Sequence, residues 1–324
     1  MTPQGETAKP SWQTRAVTAL LRASGGRKLL GDPALLHAAL EKRDRKVEEV
    51  RPPAFLNKAA TVTRDDLDGW PVYRITPTTG PAEVTVVFLH GGGFFREIVR
   101  PHWSFVRDLA AAVPAECVVP IYPLVPHGHA ADMVATTAAI LARAIEQRGS
   151  GKTVVMGNSA GGGLALAATQ VLLEQGGPQP DRVVLISPWL DVTMTDPTLP
   201  ALEKDDPFHQ IPGLLEIGRL YAGDLDPRDP RVSPLRGRIE GLPPLTVFCG
   251  TREMTVADTR TLARRAAAAG TPIDYHEGPA LPHNYALMPS PEGRAARKII
   301  VDACRAPHQV SAIDPKPSPH NAGR

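Results

Sequence analysis

Aromatic residues are scarce in this chain of 324 residues: 7 Phe, 4 Trp and 5 Tyr, or 5% of the total. So thin a supply does not suggest a long greasy tunnel for a lipid tail. Charge of one sign is lacking too, since 36 Lys and Arg face 34 Asp and Glu, a formal balance of +2. That argues against a nucleic-acid protein built on a basic face. Only three cysteines occur, Cys117, Cys249 and Cys304, far apart and with no CxxC or Cys/His metal spacing. Two lie inside the apolar runs CVVPIY and LTVFCG, so buried free thiols of a reducing compartment are expected, with no metal and no disulfide framework. No window approaches the roughly 18 to 20 consecutive apolar residues of a spanning helix. The start, MTPQGETAKPSW, has no apolar core of a secretory signal. A cytoplasmic protein is the expectation. What abounds is turn-forming residues: 28 Gly and 34 Pro make about a fifth of the chain, against roughly 12% on average. With 42% hydrophobic residues, the length suffices for one large or two modest domains with a real core.

Residues 11–50 read as helix, interrupted near Gly25-Gly26, with Asp32-Pro33 as an N-cap followed by Pro at the first helical position. Glu41 to Arg51 (EKRDRKVEEVR) reads as a solvated helix face. Thr61–Thr63 and Val72–Ile75 flank Asp68-Gly69, an edge hairpin. Then the chain changes character. Short apolar runs recur at Val84–Leu89, Cys117–Ile121, Thr153–Met156, Val183–Ile186 and Leu245–Cys249. Each is bounded by Gly or Pro, as expected of parallel strands buried on both faces. Helical stretches at Trp103–Ala112, Ala131–Gln147, Gly161–Glu174 and Val256–Ala269 separate them, so an α/β architecture with a parallel sheet and crossover helices is predicted. Residues 188–243 break this rhythm as a Pro/Asp-rich insertion. The tail 306–324 is expected to be disordered.

Two glycine-rich turns carry chemistry. Gly157-Asn158-Ser159-Ala160-Gly161 follows the apolar run TVVM and opens the helix GGGLALAATQVLL. That is the strand, turn and helix a nucleophile elbow requires, with small neighbours letting strand and helix approach around a strained serine. His90-Gly91-Gly92-Gly93 follows VTVVFL. Such a turn offers backbone N–H groups to a developing oxyanion, here Gly92 and Gly93 together with Ala160. Gly91 and His90 would support that loop rather than react. The spacing matches neither GxGxxG nor a Walker motif, so a phosphate site is the weaker reading.

From these motifs the sequence resembles the hormone-sensitive-lipase-like esterases of the α/β-hydrolase superfamily, known by HGGG and a GDSAGG-type elbow. Tyr122-Pro123-Leu124-Val125-Pro126, Ser187-Pro188-Trp189-Leu190-Asp191, Asp229-Pro230 with Ser233-Pro234, and Gly241-Leu242-Pro243-Pro244 extend the likeness over residues 80–300. One departure is Asn158, where the family usually has Asp. The resemblance implies an eight-stranded, mostly parallel sheet flanked by helices. Its core would be 56–187 and 241–305, with 1–55 and 188–240 forming a two-part helical cap. Triad residues should follow in the order serine, acid, histidine. After Ser159, with the tail set aside, three histidines remain. His283 lies in a segment similar to the family's catalytic-histidine loop, His276 is in the strand-like PIDYHEG, and His209 can only line a pocket. Glu253 stands where the family carries its acid, and Asp258 is the alternative. Phe94, Phe95, Trp103, Trp189, Phe208 and Tyr221 are aromatic candidates for the substrate pocket.

The function so implied is a serine carboxylic-ester hydrolase for short-chain acyl or acetyl esters or lactones, working through an acyl-enzyme. It needs no cofactor. Its partner is a small-molecule ester, with no nucleic acid and no membrane span, and a homodimer is compatible with it. An amide deacetylase or an acyltransferase on the same scaffold, or a ligand-binding module that has reused the fold, are the alternatives.

Overall fold

A computed structural model of the protein describes residues 9–45, 50–58, 60–78 and 80–305. Three helices come first: α1 (Trp12–Ala23), α2 (Gly26–Gly31) and α3 (Pro33–Asp44). Gly25 takes a left-handed φ of 79° between the first two, and Asp32 caps the third by accepting from the Ala34 N–H at 2.9 Å. The strands β1 (Ala60–Leu67) and β2 (Trp70–Pro77) pair antiparallel across Asp68-Gly69. Both turn residues have positive φ, 50° and 81°, the combination that matches the twist of a two-residue hairpin. Alternation then sets in with β3 (Val84–Leu89), α4 (Arg100–Ala112), β4 (Ala115–Pro120), α5 (Ala130–Arg148), β5 (Lys152–Asn158), α6 (Ala160–Glu174) and β6 (Arg182–Ile186). The long insertion carries α7 (Leu199–Asp205) and α8 (Ile211–Ala222). After it come β7 (Leu245–Arg252), α9 (Val256–Ala269), β8 (Ile273–Pro282) and α10 (Pro291–Arg305). The expected tail 306–324 and most of the charge-dense stretch after Arg45 lie outside the described residues. No described helix is long and apolar enough to cross a membrane.

The eight strands form one sheet in the order β1-β2-β4-β3-β5-β6-β7-β8, antiparallel only at the β1/β2 and β2/β4 pairs. The pleat sends alternate side chains to opposite faces. On β3, Val84, Val86 and Phe88 pack with Trp103 and Val106 of α4 and Ile300 of α10. Val87 and Leu89 pack with Leu141 of α5, Leu164 of α6 and Leu262 of α9. Both faces are covered, which is why the strand sequences read as unbroken apolar runs. After β3 the chain steps outward to β4, then returns to β5 on the other side of β3. Loops leaving β3 and β5 therefore diverge from one crevice, where open α/β sheets bind ligands.

The N-terminal helices and the insertion meet over that crevice. Gly213 of α8 lies so close to α2 that a Cβ there would be 2.4 Å from the Leu30 carbonyl oxygen. Arg27 donates to the carbonyls of Glu203, at 2.9 Å, and Asp206, and His37 bonds Glu216 of α8 at 2.8 Å. Arg43, expected on a solvated face, turns inward instead. Its guanidinium donates to the Phe95 carbonyl at 2.8 Å and the Val125 carbonyl at 2.7 Å, because loop carbonyls beneath α3 lack strand partners and need donors.

At its other end α1 is held by one carboxylate. Glu292 accepts from the Ser11 N–H at 2.5 Å, the Ser11 hydroxyl at 2.8 Å and the Thr14 hydroxyl at 2.9 Å. Burial alone would raise this carboxyl, but the bonds from Ser11, from its own backbone and from Thr14 hold it down at about 2. A depressed acid contributes stability above its unfolded value, 4.5 here, and loses it as pH falls toward about 2. Amide exchange of residues 12–23 should therefore be faster in Glu292→Gln than in the wild type at pH 6. That difference should close as pH falls from about 4.5 to about 2.

Candidate active site

Register brings the two glycine turns together before any side chain is considered. In the β3/β5 pair Leu89 stands opposite Gly157, so His90–Gly93 and Asn158–Ala160 leave the sheet side by side. Ser159 is the first residue beyond β5 and adopts φ 53°, ψ −123°, a costly conformation for a residue with a Cβ. Its neighbours make it feasible. A Cβ on Gly157 would lie 2.1 Å from the Gly161 carbonyl oxygen, and one on Gly161 only 2.2 Å from that of Leu89. The serine thus sits at the N-terminal end of the 15-residue α6, where the helix dipole favours negative charge.

The glycine loop is braced from three sides. Asn158 Oδ1 accepts from the Gly91 N–H at 2.8 Å. The Tyr122 hydroxyl donates to the His90 carbonyl at 2.5 Å, and its ring stacks on the His90 imidazole at 4.3 Å. Val125 donates to the Phe94 carbonyl at 2.9 Å. His90 is fully buried, and that burial lowers its imidazole to about 4 even though the Gly91 carbonyl bond raises it. It is a neutral brace. Among the described residues none accepts from the N–H of Gly92, Gly93 or Ala160, and Gly92 and Gly93 line the same cavity as Ser159.

Opposite them, His283 Nδ1 donates to Glu253 Oε2. Both side chains are buried, and His283 Nε2 has no partner among the described residues. Glu253 collects a dense set of donors. Oε1 accepts from the Gly250 N–H at 2.5 Å, the Ser187 hydroxyl at 2.9 Å and the Cys249 thiol at 3.2 Å, and Oε2 accepts from the Thr255 hydroxyl at 2.7 Å. Burial alone would raise the carboxyl, but the charge and bond of His283, then Thr255 and Gly250, leave it below its ordinary value. Ser187, at φ 46° and fully buried, also accepts from the Asn284 N–H at 2.9 Å. It thereby links the loop of the acid to the loop of the histidine. Asp258 is elsewhere engaged. Its Oδ2 accepts from the N–H groups of Leu190 and Asp191, both at 3.1 Å, and burial pushes its carboxyl up to about 7. His276 stacks on Phe248 at 4.8 Å, away from this cluster.

Ser159, His283 and the glycine loop share a cavity of about 390 Å³. Val17, Leu21 and Leu30 from the N-terminal helices and Leu199 and Leu214 from the insertion help to wall it. Phe95, Trp189 and Phe208 line it. Phe94 and Tyr221 do not: they stack on each other at 3.8 Å and 6°, beneath the wall. Trp103 packs on Tyr73 on the opposite face of the sheet. Sequence reasoning gave no part to Asn158, Ser187 or Thr255 beyond their place in motifs: the partners of Asn158 and Ser187 are loops distant in the chain, and Thr255 serves Glu253 two residues away only through the fold of their shared loop. Asp206 is likewise new, bonding His209 Nδ1 at 3.1 Å and the Met254 N–H at 3.1 Å.

Comparison with known proteins bears on the family and the fold. A family described as the alpha/beta hydrolase fold matches residues 86–287. A triacylglycerol lipase of Mycobacterium tuberculosis (strain ATCC 25618 / H37Rv) is 36% identical over 240 residues, 73% of this chain. The chain spans only half, 50%, of that lipase's length. An acetyl-hydrolase of Streptomyces hygroscopicus is 31% identical over 66% of this chain and 73% of its own length. Among solved structures, an esterase from the bacterial hormone-sensitive lipase family superposes with a TM-score of 0.76. It is 28% identical over 92% of this chain and 99% of that one.

Asn158 offers a direct test of how the glycine loop is held. Replacing it by Ala leaves the buried Gly91 N–H without an acceptor, which should cost roughly 1–3 kcal/mol in urea unfolding. Asn158→Asp should cost much less. It keeps the acceptor for Gly91, and its second oxygen would replace an amide nitrogen that lies 3.4 Å from His102 Nε2.

Proposed function

This chain belongs to the α/β-hydrolase family, on its hormone-sensitive-lipase-like esterase branch, and from that premise we propose that it is a serine carboxylic-ester hydrolase with a Ser159-His283-Glu253 triad. The observation that carries the reading is the buried Glu253–His283 bond at the cavity lined by Ser159. Ser159 Oγ attacks the ester carbonyl carbon and passes its proton to His283 Nε2. The carbonyl electrons move onto oxygen, where the N–H groups of Gly92, Gly93 and Ala160 receive the charge. Collapse expels the alcohol, which takes the proton from His283. Water then repeats the sequence on the acyl-enzyme and releases the acid. Glu253 keeps Nδ1–H directed at itself, leaving Nε2 as the base, and offsets the imidazolium that forms twice per cycle.

Substrate size follows from the cavity. At about 390 Å³ it lies near the lower end of the roughly 300–1,000 Å³ of small-molecule sites. A short acyl group fits that space, in an ester or a lactone. The N-terminal helices and residues 188–240 act as a cap that excludes water from the reacting centre.

Ser159→Ala should nearly abolish hydrolysis of p-nitrophenyl butyrate. A fluorophosphonate probe should label the wild type at Ser159 and leave that variant untouched. An unlabelled wild type would instead mark a binding module. Glu253→Gln should lower kcat by up to about 10⁴, the scale seen when a triad carboxylate is neutralised. Asp258→Asn should retain far more activity. Comparing kcat/KM on p-nitrophenyl esters, lactones and N-acetyl amides, with and without an added acceptor alcohol, separates hydrolase from deacetylase and acyltransferase.

A further inference from the structure

His209 lies in the turn between α7 and α8 and lines a cavity otherwise walled mainly by apolar groups such as Leu214, Met254, Phe95 and Trp189. Its Nδ1 is 3.1 Å from Asp206 Oδ2. Asp206 is fully buried and fixed by backbone donors. Its Oδ1 accepts from the N–H groups of Phe208 and His209, both at 2.9 Å, and its Oδ2 from that of Met254 at 3.1 Å. A carboxylate so held keeps one orientation, and so does the imidazole bonded to it. The His209 ring stands at 84° to that of His283, with centres 4.4 Å apart, and Phe208 flanks it at 5.2 Å. With Nδ1 taken by Asp206, Nε2 has no partner among the described residues.

An oriented, unpartnered ring nitrogen in an apolar cavity costs affinity for any substrate that cannot bond it. Its place beside His283 assigns the side of the scissile bond. His283 must face the departing oxygen, so what lies against His283 lies against the leaving alcohol. We propose that His209 is a specificity residue that hydrogen-bonds a second oxygen on the leaving alcohol, which makes the substrate class the short acyl ester of a diol, polyol or sugar. This rests on the triad proposed above.

The bond holds in either protonation state. Burial alone would lower the His209 imidazole, but the charge and bond of Asp206, helped by Glu253 and opposed by Arg96, raise it above its ordinary value. The protonated ring donates from Nε2 to a hydroxyl oxygen. The neutral ring, keeping its proton on Nδ1 toward Asp206, accepts from the hydroxyl instead.

Three esters of equal size test the proposal: propyl butyrate, 2-hydroxyethyl butyrate, which exchanges a methyl for a hydroxyl on the alcohol, and propyl methoxyacetate, which places the oxygen on the acyl side. Wild type should show kcat/KM about tenfold higher for 2-hydroxyethyl butyrate than for propyl butyrate. In His209→Phe, which keeps an aromatic ring against His283, that ratio should fall to about one. The methoxyacetate-to-butyrate ratio should be the same in both proteins. His209→Leu provides the same comparison if the Phe variant does not fold. A wild-type ratio near one, a tenfold ratio that survives in the variants, or a His209-dependent preference confined to the methoxyacetate would each overturn the assignment. Failure of the wild type to hydrolyse any of the three would overturn the esterase reading itself.

Discussion

The close approach of α6 to the end of β3 is the constraint on which the rest depends. Gly161 lies so near Leu89 and His90 that no side chain fits between them. That contact fixes the helix N-terminus beside the glycine loop and bends the chain sharply at Ser159. The rest of the proposed triad is then a matter of what else reaches the same end of the sheet. β6 delivers Ser187, β7 delivers Glu253, and the irregular end of β8 delivers His283. Parallel pairing makes this convergence automatic, because all six parallel strands, β3 to β8, end on one side.

A buried carboxylate is the second demand on the fold. Removing Glu253 from water would cost several kcal/mol if it were left alone. Donors from Gly250, Ser187, Thr255 and Cys249, together with His283, offset that cost. They come from three different crossings of the sheet, so the charge can be held only when the loops after β6, β7 and β8 are all in place. The strained backbone at Ser187 belongs to the same economy, since its positive φ accompanies a hydroxyl that serves Glu253 and Asn284 at once.

Much of this was legible in the sequence, and the reason is locality. The strands announce themselves because both their faces are buried. The two turns do so because glycine is required wherever backbone meets backbone, and that requirement is written within five residues. Helix limits at Gly25 and Asp32-Pro33 are local in the same way. What could not be read depends on partners far off in the chain. Arg43 sits in a run of charges that looks solvated, yet its acceptors are the carbonyls of Phe95 and Val125. Phe94 and Tyr221 are as aromatic as Phe95 and Phe208, but stacking on each other removes them from the cavity. Nothing within the insertion says that Asp206 binds the residue after Glu253.

That last bond ties the insertion to the core in a particular way. Asp206 joins the turn carrying His209 to the Met254 amide, one residue from the acid. The insertion is therefore not an interchangeable module. A segment grafted from a relative to alter selectivity would have to bring its own acceptor for that amide. Otherwise the loop holding Glu253 would register the change. On the roles proposed for His209 and Glu253, selectivity and turnover are coupled through a single carboxylate, and an engineer who treats them as separate variables would find each moving with the other.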